Sequence, residues 1–196
     1  MAVTLVYETH SITTDNETGI ATGWLPGELS ARGRALAAEL GERRRDDGID
    51  VVFSSDLRRA VQTAQIAFAG SAVPLRQDRR LRECDYGEWN GGPVARLAGR
   101  RAEYIDRPWP GGQSYRQVTA ETAAFLGDLA ASWDGARVLV IAHSANRWAL
   151  QHLLHGEALE DLVDAPFGWQ EGWTYTVPAP YLPPDGITPA LGRRSS

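Results

Sequence analysis

The stretch 138-VLVIAHSANRWAL-150 decides the fold. Its first five residues, Val138 to Ala142, are apolar without interruption. So short and continuous a run is expected of a strand buried on both faces, as in a parallel sheet covered by helices. The strand leads into His143, and Ala145 to Leu154 reads as the helix that follows. An anion beside His143 would meet free backbone N–H groups and the positive end of that helix. Taken alone, a strand-end histidine can equally serve to satisfy a loop backbone, so its meaning depends on the other strands.

Outward from this unit, strand and helix patterns alternate. Val3 to Tyr7 is a predicted strand that runs into a polar loop carrying His10, Thr13 and Asn16. Ser30 is placed to cap a helix running through Arg45, with Leu36 and Leu40 on one face and arginines at its far end. Val51 to Ser54 and Val73 to Leu75 read as strands on either side of a helix over Asp56 to Phe68. Tyr115 to Trp133 is a helix, and Trp173 to Val177 alternates like a last strand. The Gly-, Pro- and aromatic-rich segment around 84–114 reads as an insert over the sheet. Residues 1–178 are therefore expected to form one domain, with 179–196 a loose tail. The pattern implies an α/β three-layer sandwich: a mostly parallel central sheet flanked by helices. In such sheets ligands bind beyond the carboxyl ends of the strands. Three strands here end at His10, at the Arg58-Arg59 pair and at His143, which argues for one shared site.

Composition narrows the function classes. The 196 residues are 43% hydrophobic and 23% charged, ordinary for one domain with a substantial core. A net charge of -5 without a basic block argues against nucleic acid or a membrane surface as partner. All 20 basic residues are arginine, so any phosphate clamp must use arginine. The single Cys84 cannot form an internal disulfide, no leader is evident, and the longest apolar run is far too short for a bilayer. The expected location is the cytoplasm.

Several side chains could do chemistry. In SSDLRRAVQTA, Arg58 shares a polar stripe with Gln62 and Gln65, whereas Arg59 shares one with Thr63 and Ile66 and should point inward. An inward arginine at a helix N-terminus repels the dipole and needs an anion, either a ligand or a structural carboxylate. Glu83 in LRECDYGEW could hold a proton near a bound phosphate and act as general acid, then base. Its spacing allows equally a salt bridge with Arg80 or Arg82, and Glu88 is a nearby competitor. Neutral imidazole is a good nucleophile toward phosphorus, which suits His10, and Asn16 could donate to a phosphoryl oxygen. Other chemistries lack their residues. Asn90 stands where a Cys84 phosphatase loop would need arginine, and neither Ser11 nor Ser144 lies in a G-x-S-x-G elbow. His152 and His155 have no matching ligand cluster, and there is no G-x-x-x-x-G-K-[ST].

In this order and spacing, THSITTDN with Gly23-Trp24 and LSARG, SSDLRRAVQTA, LRECDYGEWNG, PWPGGQS and VLVIAHSANRWAL resemble the histidine phosphatase superfamily, the phosphoglycerate-mutase-like enzymes, over about Val3 to Val177. The resemblance implies that His10 is phosphorylated, that Glu83 protonates the leaving group and that His143 is the second catalytic histidine. It implies that Arg59, Asn16, Thr13 and Ser144 hold the phosphate. It implies a cofactor-free, metal-independent phosphomonoesterase acting on a small phosphorylated metabolite. A phosphomutase, or a non-catalytic phospho-ligand binder, are the alternatives, and a homodimer is left open. One departure is plain: Thr9-His10-Ser11 stands where the family has Arg-His-Gly, and Glu8 stands where it has an apolar strand residue. Arg147 and Arg82 are the candidates to supply the missing charge. Among the expected rim aromatics Trp24, Tyr86, Trp89, Tyr104, Trp109 and Tyr115, several could instead pack the insert.

Overall fold

A computed structural model describes residues 1–166, 168, 170–184 and 186–188. In chain order its elements are β1 (Ala2–Thr9), α1 (Thr14–Glu17), β2 (Ile20–Ala21), α2 (Ala31–Arg44), β3 (Val51–Ser54), α3 (Arg58–Ala67) and β4 (Leu75–Gln77). Then come β5 (Gly92–Pro93), α4 (Val94–Ala98), α5 (Tyr115–Ser132), β6 (Arg137–Ala142), α6 (Ser144–His155), α7 (Leu159–Asp164) and β7 (Trp173–Pro178). The main sheet has the order β4-β3-β6-β1-β7. All its pairings are parallel except that of β7, which runs antiparallel to β1.

β6 lies at the centre of this sheet, and Val138 to Ala142 are all fully buried. Alternation along the strand explains why this stretch carries no polar residue. Val138, Val140 and Ala142 pack with Leu5 and Tyr7 against Leu126 of α5 and Leu150 of α6. Leu139 and Ile141 turn the other way, with Val6, against Leu40 of α2 and Ala64 of α3. The result is the three-layer sandwich. Ser30 caps α2 by accepting from Gly33 N–H at 3.1 Å. A capping box of Ser114 and Gln117 starts α5. The registers Ser54↔Ile141 and Thr9↔Ala142 bring three strand ends to one edge, so His10, Ser55 and His143 emerge side by side.

Several elements differ from the sequence expectation. α3 begins at Arg58, not Asp56. β4 begins at Leu75, not Val73, because Pro74 contributes a carbonyl to Val52 N–H at 3.0 Å and has no N–H to give. α7 was not anticipated; it buries Leu159, Leu162 and Val163. The insert has a small core of its own: Trp109 stacks on Tyr104 at 3.7 Å between ring centres and meets Tyr86 edge-on at 5.5 Å. Its β5 pairs with β2, which ties the insert to the loop after His10. The segment after Pro178, expected as a loose tail, packs Tyr181 and Ile187 into the main core, because both are apolar enough to cover the α5–α6 side. The rest of that expected tail, residue 185 and residues 189–196, lies outside the described residues. Among the described residues no helix is long and apolar enough to cross a membrane.

Candidate active site

A cavity of about 720 Å³ opens at the carboxyl end of the sheet. His10, Arg59, Glu83, Ser144 and Asn16 all line it. His10 is positioned by the β1–β6 ladder, its N–H donating to the carbonyl of Ala142 at 2.9 Å. Its Nδ1 lies 2.8 Å from the carbonyl of Ser11. A carbonyl only accepts, so Nδ1 carries the proton and Nε2 keeps its lone pair. Burial and the nearby Arg59 charge push the His10 pKa down to about 3, so the ring is neutral at pH 7. The inward arginine expected from helical spacing is 2% exposed. Arg59 Nε donates to His10 Nε2 at 3.3 Å and Nη2 to the carbonyl of Gly23 at 2.8 Å. Nη1 is buried with no hydrogen-bond partner. The carboxylate that would make this arginine merely structural is absent from its hydrogen-bond partners among the described residues. Gly23 has φ of +54°, and a Cβ there would lie 1.8 Å from Asn90 Oδ1, so the turn that offers this carbonyl requires glycine.

His143 is fully buried, its ring centre 5.0 Å from that of His10. Three contacts hold it. Its N–H donates to Asn146 Oδ1 at 3.2 Å, its carbonyl accepts from the Tyr7 hydroxyl, and its Nε2 lies 2.7 Å from Ser55 Oγ. Nδ1 has no hydrogen-bond partner. Burial, then the charge of Arg59, lower its pKa well below the ordinary histidine value. Glu83 Oε1 accepts from Cys84 N–H at 2.8 Å and from Ala145 N–H at 3.3 Å, so the carboxylate sits at the start of α6. Burial raises its pKa despite these donors and Arg59. Neither open alternative from the sequence holds. Arg80 pairs with Asp78 and Asp128, Arg82 with Asp56, and Glu88 is exposed and outside the cavity lining.

The nucleophile loop is shaped by local hydrogen bonds. Thr13 is fully buried and caps α1: its Oγ1 accepts from Asn16 N–H at 2.9 Å, and Asn16 Oδ1 accepts from Thr13 N–H at 3.0 Å. The hydroxyl expected at the phosphate is thus used in a helix cap, and Thr13 does not line the cavity. Asn16 does line it and keeps its amide nitrogen available. Thr63 Oγ1 accepts from Ser11 N–H at 3.0 Å, tying the loop to α3.

The expected sources of replacement charge lie elsewhere. Arg82 makes a bidentate pair with Asp56 at 2.6 Å for both contacts and covers Trp24. Arg147 lies against Trp173, 5.0 Å from the ring centre. Neither lines the cavity, whereas Arg32, Arg43 and Arg101 do. Glu8, out of pattern for a strand, is buried and bonded by Arg44 Nε at 3.0 Å, with Arg43 at 3.7 Å. Sequence reasoning missed Arg101, Ser55, Trp148 and the Gly23 carbonyl. The paired Arg100-Arg101 in the insert and the doubled serine before Asp56 were the available signals. Of the expected rim aromatics only Tyr86 reaches the cavity, and most of the others pack the insert. Among the described residues no cluster of His, Cys, Asp or Glu could hold a metal ion.

The chain is similar to known proteins over most of its length. The model of the histidine phosphatase superfamily (branch 1) matches residues 9–169. A 2,3-bisphosphoglycerate-dependent phosphoglycerate mutase of Methylobacterium radiotolerans is 34% identical over 172 residues, 78% of this chain and 79% of that protein. An uncharacterised phosphatase, PhoE, of Bacillus subtilis is 30% identical over 122 residues, 62% of either chain. The solved structure of a mycobacterial glucosyl-3-phosphoglycerate phosphatase matches with a TM-score of 0.73 at 28% identity, over 83% of this chain and 84% of that one. With its strand-end histidines, inward arginine and mostly parallel sheet, the chain belongs to the histidine phosphatase superfamily.

Proposed function

We propose that the protein is a phosphomonoesterase acting through phosphohistidine on a small phosphorylated organic molecule. One observation carries the reading: a buried arginine with an unpartnered Nη1 lies beside an unprotonated imidazole nitrogen at the floor of a cavity. A phosphoryl group supplies the anion that Arg59 lacks and the electrophile that His10 Nε2 can attack.

His10 Nε2 attacks phosphorus in line as the bond to the leaving oxygen breaks. Glu83, kept protonated by its burial and by the incoming dianion, gives its proton to that oxygen. Arg59 Nη1, His143 Nδ1–H and the Asn16 amide hold the other phosphoryl oxygens, in a site fixed before the reaction starts. Glu83, now ionised, takes a proton from water, which attacks phosphorus and releases His10. Arg101 supports the dianion in place of the arginine absent before His10, since it lines the cavity and its charge is felt at Glu83.

The test is phosphate release from a panel of phosphomonoesters, with His10→Ala as control. The variant is expected to lose at least about a thousandfold in kcat. Wild type quenched during turnover should yield an acid-labile phosphoprotein. Equal rates in the two proteins would reject His10 as nucleophile. Tight phosphate binding without turnover would favour a binding protein. The similarity to the Methylobacterium mutase supports a second reading, a phosphomutase. It would replace the first if isomerisation of a phosphoglycerate outpaced its hydrolysis.

A further inference from the structure

The cavity is far larger than a phosphoryl group, and its volume lies within the range, about 300–1,000 Å³, of sites for whole organic ligands. Among the described residues, four that line it carry a buried side-chain donor without a hydrogen-bond partner: Arg43 Nε, Arg59 Nη1, Arg101 Nε and Trp148 Nε1. A buried donor left unpaired costs stability, and in a cavity wall a ligand atom can offset that cost. Two of the four have an anion to serve. Arg43 lies 3.7 Å from Glu8, and Arg59 faces the phosphoryl group. Arg101 Nε and Trp148 Nε1 remain, both on the insert side.

That side is where the leaving group must go. In-line displacement puts the leaving oxygen opposite His10 Nε2, beside the acid that protonates it. That acid, Glu83, accepts from Ala145 N–H in the first turn of α6. Trp148 follows three residues later, about 4.5 Å along the helix axis. Its side chain is held from two sides: Tyr115 meets the ring edge-on at 5.4 Å, and Arg101 Cζ lies 5.6 Å from the ring centre. An alcohol extending from Glu83 along α6 reaches Trp148 within a few bonds of the ester oxygen.

An indole N–H and a guanidinium Nε–H only donate, so their partner is an oxygen that accepts. Charge decides which kind. Arg59 and Arg101 match the two charges of a phosphoryl dianion, and Glu83 is neutral while it holds its proton. The other cations of the lining among the described residues, Arg32 and Arg43, stand on α2. A carboxylate on the alcohol would bring a third negative charge with no further cation of the lining on the insert side to meet it. We propose that Trp148 is a specificity-determining residue: its indole N–H, with Arg101 Nε, receives an uncharged oxygen of the alcohol, so that the substrates are phosphomonoesters of hydroxy- or oxo-alcohols. The assignment rests on the phosphomonoesterase reading but makes a separate claim.

The experiment compares kcat/KM for glycerol 1-phosphate and dihydroxyacetone phosphate with that for propyl phosphate, which has the same three-carbon chain without the oxygens. It is run in wild type and in Trp148→Phe, which keeps a ring and removes the N–H. Each ratio is taken within one preparation, so it does not depend on how much of the variant folds. Comparing the ratios between the two proteins cancels the difference in leaving-group acidity. The ratio to propyl phosphate is expected to fall about three- to tenfold in Trp148→Phe. An unchanged ratio would overturn the role of Trp148, and a higher kcat/KM for 3-phosphoglycerate than for glycerol 1-phosphate would overturn the uncharged class; both results leave the phosphatase reading intact. If nothing turns over, the phosphatase reading fails, and proton–nitrogen spectra decide the role of Trp148. Its indole signal, identified by its loss in Trp148→Phe, should move further downfield with 3,4-dihydroxybutylphosphonate than with butylphosphonate. Equal shifts would overturn the assignment.

Discussion

Ser55 decides which nitrogen of His143 is offered to a ligand. Its Oγ accepts weakly from Leu57 N–H at 3.4 Å and lies 2.7 Å from His143 Nε2. A hydroxyl oxygen has two lone pairs, so the Leu57 contact leaves both directions open; we predict that the Ser55 proton goes to Nε2. Nδ1 then carries the imidazole proton, and His143 is a neutral donor instead of a second base. Ser55→Ala removes the only side-chain partner of Nε2 among the described residues, so the tautomer should shift toward Nε2–H. The expected result is about a tenfold fall in kcat with little change in KM, the size usual for a partner that orients a reactive ligand, and retention of activity in Ser55→Thr. Long-range proton–nitrogen spectra of the imidazole should show the two nitrogens exchanging character; an unchanged tautomer in Ser55→Ala would remove this role. The same scale shows where sequence reasoning reached and where it stopped. Arg59 was legible because helical spacing alone separates it from Arg58, and Arg58 indeed pairs at the surface with Glu28 at 3.0 Å. Thr13, which the family resemblance put at the phosphate, lies outside the cavity lining and caps α1, a role its position three residues before Asn16 also allows. Arg101 offered only the weak signal of a doubled arginine, because its position depends on how the insert folds back on α6, a non-local contact without a sequence period.

At the scale of elements, the fit of α2 against the nucleophile loop shapes the site. Gly33 lies in the first turn of α2, and a Cβ there would come 1.8 Å from the carbonyl oxygen of Ile12. The same carbonyl accepts from Ser30 N–H at 3.1 Å, and Thr13 bridges to Leu29. The loop from His10 to Thr13 is thus clamped onto the start of α2. Gly33→Ala must push them apart; overpacking of this kind costs about 1–3 kcal/mol. For a chain of this size that is a fall of about 2–12 °C in Tm, read by calorimetry. An unchanged Tm would mean that the loop yields freely, and then it could not hold His10 in a fixed geometry. The regular elements were legible because their signals are local: a capping serine at Ser30, an uninterrupted apolar run in β6, an alternating β7. α7 and the small core of the insert were not. α7 is only Leu159–Asp164, too short for a period to stand out, and the insert coheres through aromatic pairs such as Trp89–Trp109 and Tyr86–Trp109 that are far apart in the chain.

For the whole molecule, the same burial that prepares the site makes stability depend on pH through groups of opposite sign. His10 has an ordinary value of 6.5 and a folded value of about 3. Below pH 6.5 the unfolded chain takes up a proton that the folded protein refuses, so this group's contribution is present at neutral pH and lost as pH falls toward 3. His143, also lowered, acts in the same direction. Glu8 and Glu83 have raised values and act oppositely: above their ordinary value of 4.5 the folded protein holds protons that the unfolded chain has lost, so their contribution grows as pH falls. The net curve mixes the two signs, and a difference between proteins isolates one of them. In His10→Asn the residue cannot titrate. Its stability relative to wild type, from urea midpoints at constant slope, should improve by about 2–3 kcal/mol between pH 7 and pH 4.5, since two units below 6.5 correspond to about 1.4 kcal/mol each. A pH-independent difference would mean that His10 titrates normally in the folded protein. It would then be largely protonated in mildly acidic solution and unable to attack phosphorus, so the activity limb below pH 6 should follow the stability result: flat if the ring stays neutral, falling if it does not.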